Sequence, residues 1–290
     1  MPSHPHHRSP LFAKHKSEFA ENRYVYPVLS RRAGGISIGV NLNLNKFCTF
    51  HCVYCQVDHT EPGKPETVDP ARLAEELDAM LEEVTSGNIF QGPQFGNTPQ
   101  HLRRLHDIAF SGDGEPTACA EFEAAVEVCA EALRRRNLDD VKLVLITNAS
   151  LLHQPRVQKA LETIDAVGGE IWAKLDAGTE DYYRTVDRSD VPWRRILDNL
   201  RDAAQRRPIV IQTLFSRLHD EPPSPAEIEA YCDRLQEIVA AGGRIKLVQI
   251  HTIARQPAET WAAPLASAEI DALADVVRRR TGLSVAAFYG

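Results

Sequence analysis

The sequence predicts an α/β protein that folds as a partial (βα)6 TIM-like barrel with parallel strands. Short β-branched runs alternate with longer helical patterns along most of the chain, which is typical of parallel strand–helix units. Several of these runs are almost continuously apolar, as expected when helices cover both faces of a sheet. Six such units follow one another, and six suit an incomplete barrel better than a closed barrel of eight.

Six apolar runs predict the strands in chain order, because each is short, rich in branched residues and bounded by polar or turn-forming residues. A shorter run near the end of the chain predicts one further strand. The predicted strands are 36–40, 107–110, 142–146, 170–175, 208–214, 245–250 and the final 284–288.

Each predicted strand is followed by a stretch with helical spacing of its apolar residues. The first helix places Leu73, Leu77 and Leu81 on one face and begins at Asp69-Pro70, since Asp caps a helix and Pro fits its first turn. The remaining helices are predicted at 120–133, 156–164, 191–204, 225–240 and 267–280.

The domain organisation is predicted to be simple. Residues 1–35 carry scattered Pro, Arg and His (His4, His6 and His7) without a clear period, and we interpret them as an N-terminal extension. Residues 36–290 form the barrel, including the last helix and the short final strand. No Gly/Ser-rich linker divides them.

Composition narrows the class of protein. Of the 290 residues, 43% are hydrophobic and 25% are charged, which excludes collagen-like, disordered and coiled-coil proteins. No apolar run is long enough to cross a membrane and the N-terminus lacks the apolar core of a signal peptide, so we expect no membrane partner and a cytoplasmic location. The net charge of −7 does not favour nucleic acid as a partner.

Three of the six cysteines crowd into one loop directly after the first predicted strand. Cys48, Cys52 and Cys55 are spaced by four and three residues, a pattern that indicates metal binding by soft thiolates. A structural zinc ion requires a fourth ligand, for which His51 and His59 are candidates. An iron–sulfur cluster held through three irons leaves its fourth iron open to a ligand. We interpret the other three cysteines as buried thiols, and expect a single cluster.

A second block follows the second predicted strand, where ligands bind in parallel α/β folds. It reads Ser111-Gly112-Asp113-Gly114-Glu115. The two glycines permit close approach of the backbone to a ligand, and the Glu115 carboxylate can accept hydrogen bonds from an ammonium group.

Polar residues also follow the later strands. Lys174 and Asp176 alternate on one face, as either a buried ion pair or a pair of ligand contacts. The planar guanidinium group of Arg255 is suited to bind a carboxylate or a phosphate. A surface salt bridge is an equally good interpretation of this residue. The candidates at these strand ends are Thr147, Asn148, Lys174, Asp176, Gln212 and Gln249 for a cofactor, and His251 and Arg255 for a substrate.

The cysteine spacing, with aromatic Tyr54 before the last cysteine and the position after the first strand, resembles the radical S-adenosylmethionine (SAM) superfamily. The Gly112–Glu115 block resembles the superfamily's Gly-Gly-Glu element, from which it departs at Asp113. The resemblance implies a [4Fe-4S] cluster on the three cysteines and SAM bound to its open iron. It also implies reductive cleavage of SAM to a 5′-deoxyadenosyl radical, a one-electron donor such as flavodoxin or ferredoxin, and Tyr54 among the cofactor contacts.

Within that superfamily, the motifs are most similar to the tRNA wyosine synthase-like group, through the segments 110–117, 174–177 and 186–188. The chain lacks the additional N-terminal cysteines that hold a second cluster in the archaeal wyosine enzymes. Three functions stay open. The first is a radical SAM enzyme acting on an unidentified, small substrate; the second is one that modifies tRNA or a peptide; and the third is a zinc-stabilised, non-catalytic binding protein.

Overall fold

A computed structural model describes residues 21–30, 34–59, 63 and 67–290. Eight strands form one curled sheet in the order β1-β2-β3-β4-β5-β6-β8-β10, and β7 pairs with β9 as a small second sheet. The strands are β1 Val25–Ser30, β2 Gly35–Val40, β3 Leu105–Phe110, β4 Lys142–Thr147, β5 Glu170–Lys174, β6 Ile209–Leu214, β7 Ser216–Leu218, β8 Ile245–His251, β9 Ala262–Pro264 and β10 Val285–Phe288.

Seven α-helices occur in the described part of the chain. The first begins as predicted, with the Asp69 side chain accepting from the backbone N–H of Ala71 at 2.9 Å and Pro70 in its first turn. The helices are α1 Pro70–Thr85, α2 Phe122–Arg135, α3 Pro155–Ala166, α4 Glu180–Val186, α5 Trp193–Arg206, α6 Pro225–Ala240 and α7 Ser267–Thr281. Within the described ranges no helix is both long and apolar enough to span a membrane.

The sheet confirms the predicted partial barrel. All neighbouring strands from β2 to β10 run parallel. Alternate side chains divide into two sets. Ile36, Ile38 and their counterparts on later strands pack against the helices, whereas Ala109, Val144, Trp172 and Val210 form a separate apolar layer inside the curl. Parallel strands end on the same edge, so the loops that follow them surround the mouth of this half-barrel.

Strand β1 is an addition that the sequence analysis did not predict. It lies inside the segment interpreted as an extension and pairs antiparallel with β2, with Tyr26 opposite Gly39. A Cβ on Gly39 would come within 2.2 Å of the Tyr26 ring, so only glycine allows the ring to lie across β2. The short helix α4 and the β7–β9 pair were also not predicted. His4, His6 and His7 lie outside the described residues.

The end of the barrel opposite the mouth carries an ionic network, which we call the base. Glu170 accepts from Lys142 Nζ at 2.5 Å and from Lys246 Nζ at 2.6 Å through Oε1, and from the Trp172 indole at 2.9 Å through Oε2. Nearby, the Ser37 hydroxyl donates to the buried Asp107 carboxylate. Each of these charged side chains therefore has a hydrogen-bonding partner at the base.

Candidate functional site

The cysteine loop follows β2 and is fixed by backbone hydrogen bonds to distant parts of the chain. The N–H groups of His51 and Val53 donate to the carbonyls of Asp187 and Val186, both at 2.9 Å. On the other side, the Ala258 N–H donates to the Cys55 carbonyl at 2.8 Å. The loop thus has a defined shape at the mouth, although its own residues form neither helix nor strand.

Each of the three thiols has a separate set of neighbours. Cys48 Sγ accepts from the Phe50 N–H at 3.4 Å and lies 3.6 Å from Asn148 Nδ2. Cys55 Sγ accepts from the Val57 N–H at 3.5 Å and lies 3.6 Å from His59 Nε2. N–H donors aimed at sulfur stabilise the thiolate form, which is the form that binds metal.

The Cys52 thiol lies against a buried carboxylate, that of Asp187. Cys52 Sγ donates to Asp187 Oδ1 at 3.5 Å, and burial raises its pKa well above the ordinary value. Burial likewise raises the pKa of Cys48 to about 11. These metal-free thiols are therefore protonated at neutral pH, and a metal that binds them must displace the protons.

The donor set fits a cluster better than a single ion. Within the ranges that the structure describes, no three His, Cys, Asp or Glu side chains are gathered as ligands of one metal ion, and this includes His51 and His59. A four-iron cluster binds each thiolate at a different iron, so its ligands stand apart with separate surroundings. The separate hydrogen-bond partners of the three thiols are compatible with that arrangement.

A polar triad of Tyr54, Lys174 and Asp176 lies beside the thiols. Lys174 Nζ donates to the Tyr54 hydroxyl at 2.8 Å and lies 4.7 Å from the centre of its ring. The Tyr54 hydroxyl donates in turn to Asp176, whose other oxygen accepts from the Leu214 N–H at 2.7 Å. The Lys174 and Asp176 charges are 3.7 Å apart, so they form the buried ion pair that the sequence left open.

The triad also sets the electrostatics of the loop. Burial alone would lower the pKa of Lys174, but the negative charge of Asp176 raises it, and the Cys52 and Cys55 sulfurs add to this effect when they are thiolates. The ammonium group of Lys174 is therefore held in its charged form close to the thiols. A fixed positive charge favours thiolates over thiols, which supports metal binding.

Both carboxylate oxygens of Glu115 accept hydrogen bonds from neighbouring residues of the chain. Its Oε1 accepts from the hydroxyls of Thr117 at 2.5 Å and Thr147 at 2.6 Å, and its Oε2 accepts from the Asn148 N–H at 2.7 Å. Burial nonetheless raises the pKa of this carboxyl group. Glu115 therefore ties the loop after β3 to the loop after β4, and this leaves the Asn148 amide to reach Thr49 Oγ1 at 2.9 Å and Cys48.

The two glycines of the block bring it against the cysteine loop. A Cβ on Gly114 would stand 2.1 Å from the Phe47 carbonyl oxygen, and one on Gly112 would stand 2.5 Å from Asn41. Gly112 has φ +148°, which disfavours other residues. Asp113 accepts from Asn41 Nδ2 at 2.8 Å. Close packing between the two loops thus explains both glycines.

The remaining candidates lie at the mouth or on its rim. Ser111 Oγ is 3.1 Å from the Tyr26 hydroxyl, and Gln212 donates to Gln249 at 3.2 Å in the interior. His251 ends β8, and Arg255 follows it. Burial lowers the pKa of Arg255, and Tyr26, from the opposite edge of the sheet, acts on it electrostatically.

Sequence reasoning missed several residues of the site. Asp187 contacts Cys52, Thr49 contacts Asn148, and Tyr26 reaches Ser111. The segment containing Asp187 matched a superfamily motif, but no chemical role could be assigned to it from spacing alone. Tyr26 lies in β1, whose alternating burial is seen only in the structure, in a segment interpreted as an extension.

Comparisons with known proteins identify the family of this chain. The family model of the radical SAM superfamily matches residues 42–221. A UPF0026 protein from Methanocaldococcus jannaschii is 26% identical over 183 residues, covering 60% of this chain and 47% of the relative. One from Helicobacter pylori is 29% identical over 182 residues, covering 62% and 50%. The matched part of the chain thus spans about half the length of these relatives.

Solved structures share the fold. A radical SAM methyltransferase from Sphaerobacter thermophilus has a TM-score of 0.62 at 14% identity, covering 91% of this chain and 69% of that one. Streptococcus suis SuiB bound to S-adenosylmethionine has a TM-score of 0.56 at 13% identity, covering 89% and 52%. A structure of TYW1 with a lysine-pyruvate adduct has a TM-score of 0.54 at 18% identity, covering 84% and 73%.

Members of the matched family are enzymes that use a [4Fe-4S] cluster and SAM. The match covers more than half of this chain and includes all three cysteines of the loop, the Gly112–Glu115 block and the polar triad. The chain therefore belongs to the radical SAM superfamily.

Proposed function

We propose that Cys48, Cys52 and Cys55 bind a [4Fe-4S] cluster through three irons and that SAM binds the fourth. The observation that carries the proposal is the convergence of the loops after β3, β4 and β5 on one hydrogen-bonded cysteine loop. Asn148 reaches Cys48 from β4, and the Lys174 charge faces the thiols from β5. The other three cysteines, Cys119, Cys129 and Cys232, are buried and lie outside this loop.

When bound on the three cysteines, the cluster would supply the electron for reductive cleavage of SAM to a 5′-deoxyadenosyl radical, which would abstract hydrogen from the substrate. The chain's own residues position the reactants. Asn148 and Lys174 orient the cysteine loop, and Glu115 holds Asn148 in place through its backbone N–H. The apolar layer containing Trp172 and Val210 excludes water beneath the mouth.

We propose that the polar groups at the mouth contact the cofactor, including some that also bind one another. Ser111, Gly112, Asp113 and Gly114 offer backbone and side-chain groups on the β3 side. The other proposed contacts are Tyr54, Glu115, Thr147, Asn148, Lys174, Asp176, Gln212 and Gln249. Glu115 and Thr147 contribute through the loops that they hold, since their side chains bind one another.

The substrate side of the mouth includes His251 and Arg255. We propose a small substrate, a flavodoxin or ferredoxin as the one-electron donor, and a cytoplasmic location. The net charge of −7 speaks against tRNA, because phosphate contacts require basic surface. Retention of tRNA by the purified protein, weakening steeply with salt, would instead favour the tRNA-modifying alternative.

Anaerobic reconstitution with iron and sulfide tests the proposal. We expect about four irons per chain and absorbance near 400 nm. Dithionite and SAM should then release 5′-deoxyadenosine. Cys52→Ala should lose both the cluster and this product, whereas the matched variant Cys129→Ala, at a buried thiol in α2, should retain both. A colourless protein that binds only zinc would overturn the proposal.

A further inference from the structure

The Asn148 side chain is fixed in one orientation by the residues around it. Its Oδ1 accepts from the Ser150 N–H at 3.0 Å, and its own backbone N–H donates to Glu115 at 2.7 Å. Because only the oxygen of an amide can accept from an N–H, the Nδ2 end must point the other way. The residue is buried, with 4% of its surface exposed. The fold therefore sets the direction of this amide group.

Both hydrogens of the Asn148 amide point at the cysteine loop. Nδ2 donates to Thr49 Oγ1 at 2.9 Å and lies 3.6 Å from Cys48 Sγ. The Thr49 hydroxyl is held in turn by the Ser150 hydroxyl, at 2.7 Å. An amide nitrogen donates and does not accept, so its contact with sulfur has one direction. The sulfur accepts best as a thiolate, which is the form that binds a metal.

A second side chain approaches sulfur at the other end of the loop. His59 Nε2 lies 3.6 Å from Cys55 Sγ, and the His59 ring packs edge-on against the ring of His51, with centroids 5.7 Å apart. In the metal-free protein either atom of this contact can donate. A metal-bound thiolate carries no proton, so in the loaded protein only the imidazole can donate.

We propose that Asn148 and His59 donate hydrogen bonds to the cluster-bound sulfurs of Cys48 and Cys55 and thereby raise the reduction potential of the cluster. The proposal rests on the proposed function, because it requires a [4Fe-4S] cluster on these cysteines. One electron from a donor converts the cluster from the 2+ to the 1+ state, and no bond is made or broken. The ligand sulfurs share the added charge, so N–H donors stabilise the reduced state more than the oxidised state.

The Asn148 amide is held in place before the electron arrives. Glu115 fixes its backbone, while Ser150 and Thr49 fix its two ends. Donors that are already oriented stabilise a developing charge without the cost of turning them. This explains why several buried hydrogen bonds converge on one asparagine. Asn148 and His59 act through cluster ligands, so they are positioning residues for the reduction step.

The test measures the midpoint potential of the reconstituted cluster without SAM, by spectroelectrochemical titration. Asn148→Leu keeps the approximate shape of the side chain and removes the amide. We expect it to lower the equilibrium constant for reduction about tenfold, which is about 59 mV for a one-electron couple. His59→Ala should lower it about threefold, because solvent weakens a partly exposed donor. His59→Gln, which still offers an N–H donor, should recover most of this loss.

Asn199→Leu is the matched control. The buried amide of Asn199, on α5, donates to the carbonyls of Ala149 and Ser150 at 2.7 and 3.0 Å, so it holds the same loop. In the described part of the chain it has no hydrogen bond to a cysteine sulfur. The potential of this variant should equal that of the wild type. An equal shift in Asn148→Leu and Asn199→Leu would assign the effect to the loop and overturn the proposal.

Wild-type potentials in both Asn148→Leu and His59→Ala would also overturn it. If Asn148→Leu takes up no iron, the two His59 variants decide, since a potential unchanged by His59→Ala contradicts the proposal by itself. A wild type that takes up no cluster would overturn the proposed function as well. A loaded protein with unshifted potentials would overturn only the hydrogen bonds proposed here.

Discussion

The base and the mouth of the half-barrel both place lysines and carboxylates on the inner face of the sheet, yet they use them differently. At the base, Glu170 is shared by Lys142, Lys246 and Trp172, and every charge has a partner of its own network. At the mouth, Lys174 and Asp176 pair at 3.7 Å and act on the neighbouring thiols. The same residue types therefore bind one another at one end of the barrel and lie beside the proposed cluster site at the other.

The largest effect is expected at the mouth, from Glu115→Ala. The substitution removes a buried carboxylate that accepts from Thr117, Thr147 and Asn148, and leaves these donors without an acceptor. The free energy of unfolding of the metal-free chain should fall by about 3–5 kcal/mol. Urea unfolding measures it. The matched variant Glu131→Ala, at a carboxylate that is 61% exposed, should lose less than about 0.5 kcal/mol.

The buried ion pair at the mouth should show strong coupling. Asp176→Asn leaves the Lys174 ammonium without its carboxylate, and should cost about 2–4 kcal/mol of unfolding free energy. Adding Lys174→Met removes the stranded charge, so the double variant should be less destabilised than the sum of the single variants by at least about 1 kcal/mol. A double-mutant cycle by urea unfolding measures this. Strict additivity would show that the two side chains do not interact.

A smaller, pH-dependent effect is expected at the base from Glu170→Gln. Burial alone would raise the pKa of Glu170, but hydrogen bonds from Lys142, Lys246 and Trp172 lower it to about 2. A lowered pKa in the folded state contributes stability above the pKa of the unfolded chain and loses it as the pH falls toward 2.

We therefore expect Glu170→Gln to cost about 1–2 kcal/mol at pH 7, a value reduced because both lysines are partly in solvent. The difference from the wild type should shrink as the pH falls from about 5 to about 2. Urea titrations across this range measure it, and a difference that grew on acidification would contradict the assigned network. Iron loading should be unchanged, in contrast to variants at the mouth.

The smallest effect is expected from Lys246→Met. Its side chain is 54% exposed, and Lys142 still pairs with Glu170 after the substitution. The loss of unfolding free energy should be below about 0.5 kcal/mol, within reach of replicate thermal melts. A loss above about 1 kcal/mol would mean that the base depends on both lysines, and that its charges are coupled as tightly as those of the mouth.

Much of the sheet could be predicted because its strands are self-contained patterns. The runs at 142–146 and 245–250 are apolar enough to be recognised as strands from the sequence alone. In the structure each strand is longer than predicted by one residue. Strand β1 could not be found this way. Val25 and Leu29 are buried, but Pro27 lies between them and the strand is defined by its pairing with β2.

In the candidate site, too, residues with a local sequence pattern could be recognised, whereas residues that meet only in the folded chain could not. The proposed cluster cysteines could be recognised in the sequence because three thiols within one loop produce a local pattern. Asp187 could not, because it meets Cys52 from 135 residues further along the chain. Glu115 was found as a residue, whereas its partners Thr117 and Thr147 became clear only when the loops after β3 and β4 were seen to touch.

The backbone hydrogen bonds that fix His51, Val53 and Cys55 have one more consequence. These bonds join backbone groups of the chain to one another, so they restrict the loop in their own right and reduce the conformational entropy that assembly of the inorganic part would cost. We therefore expect that iron and sulfide lost to oxygen can be restored to the protein without unfolding it.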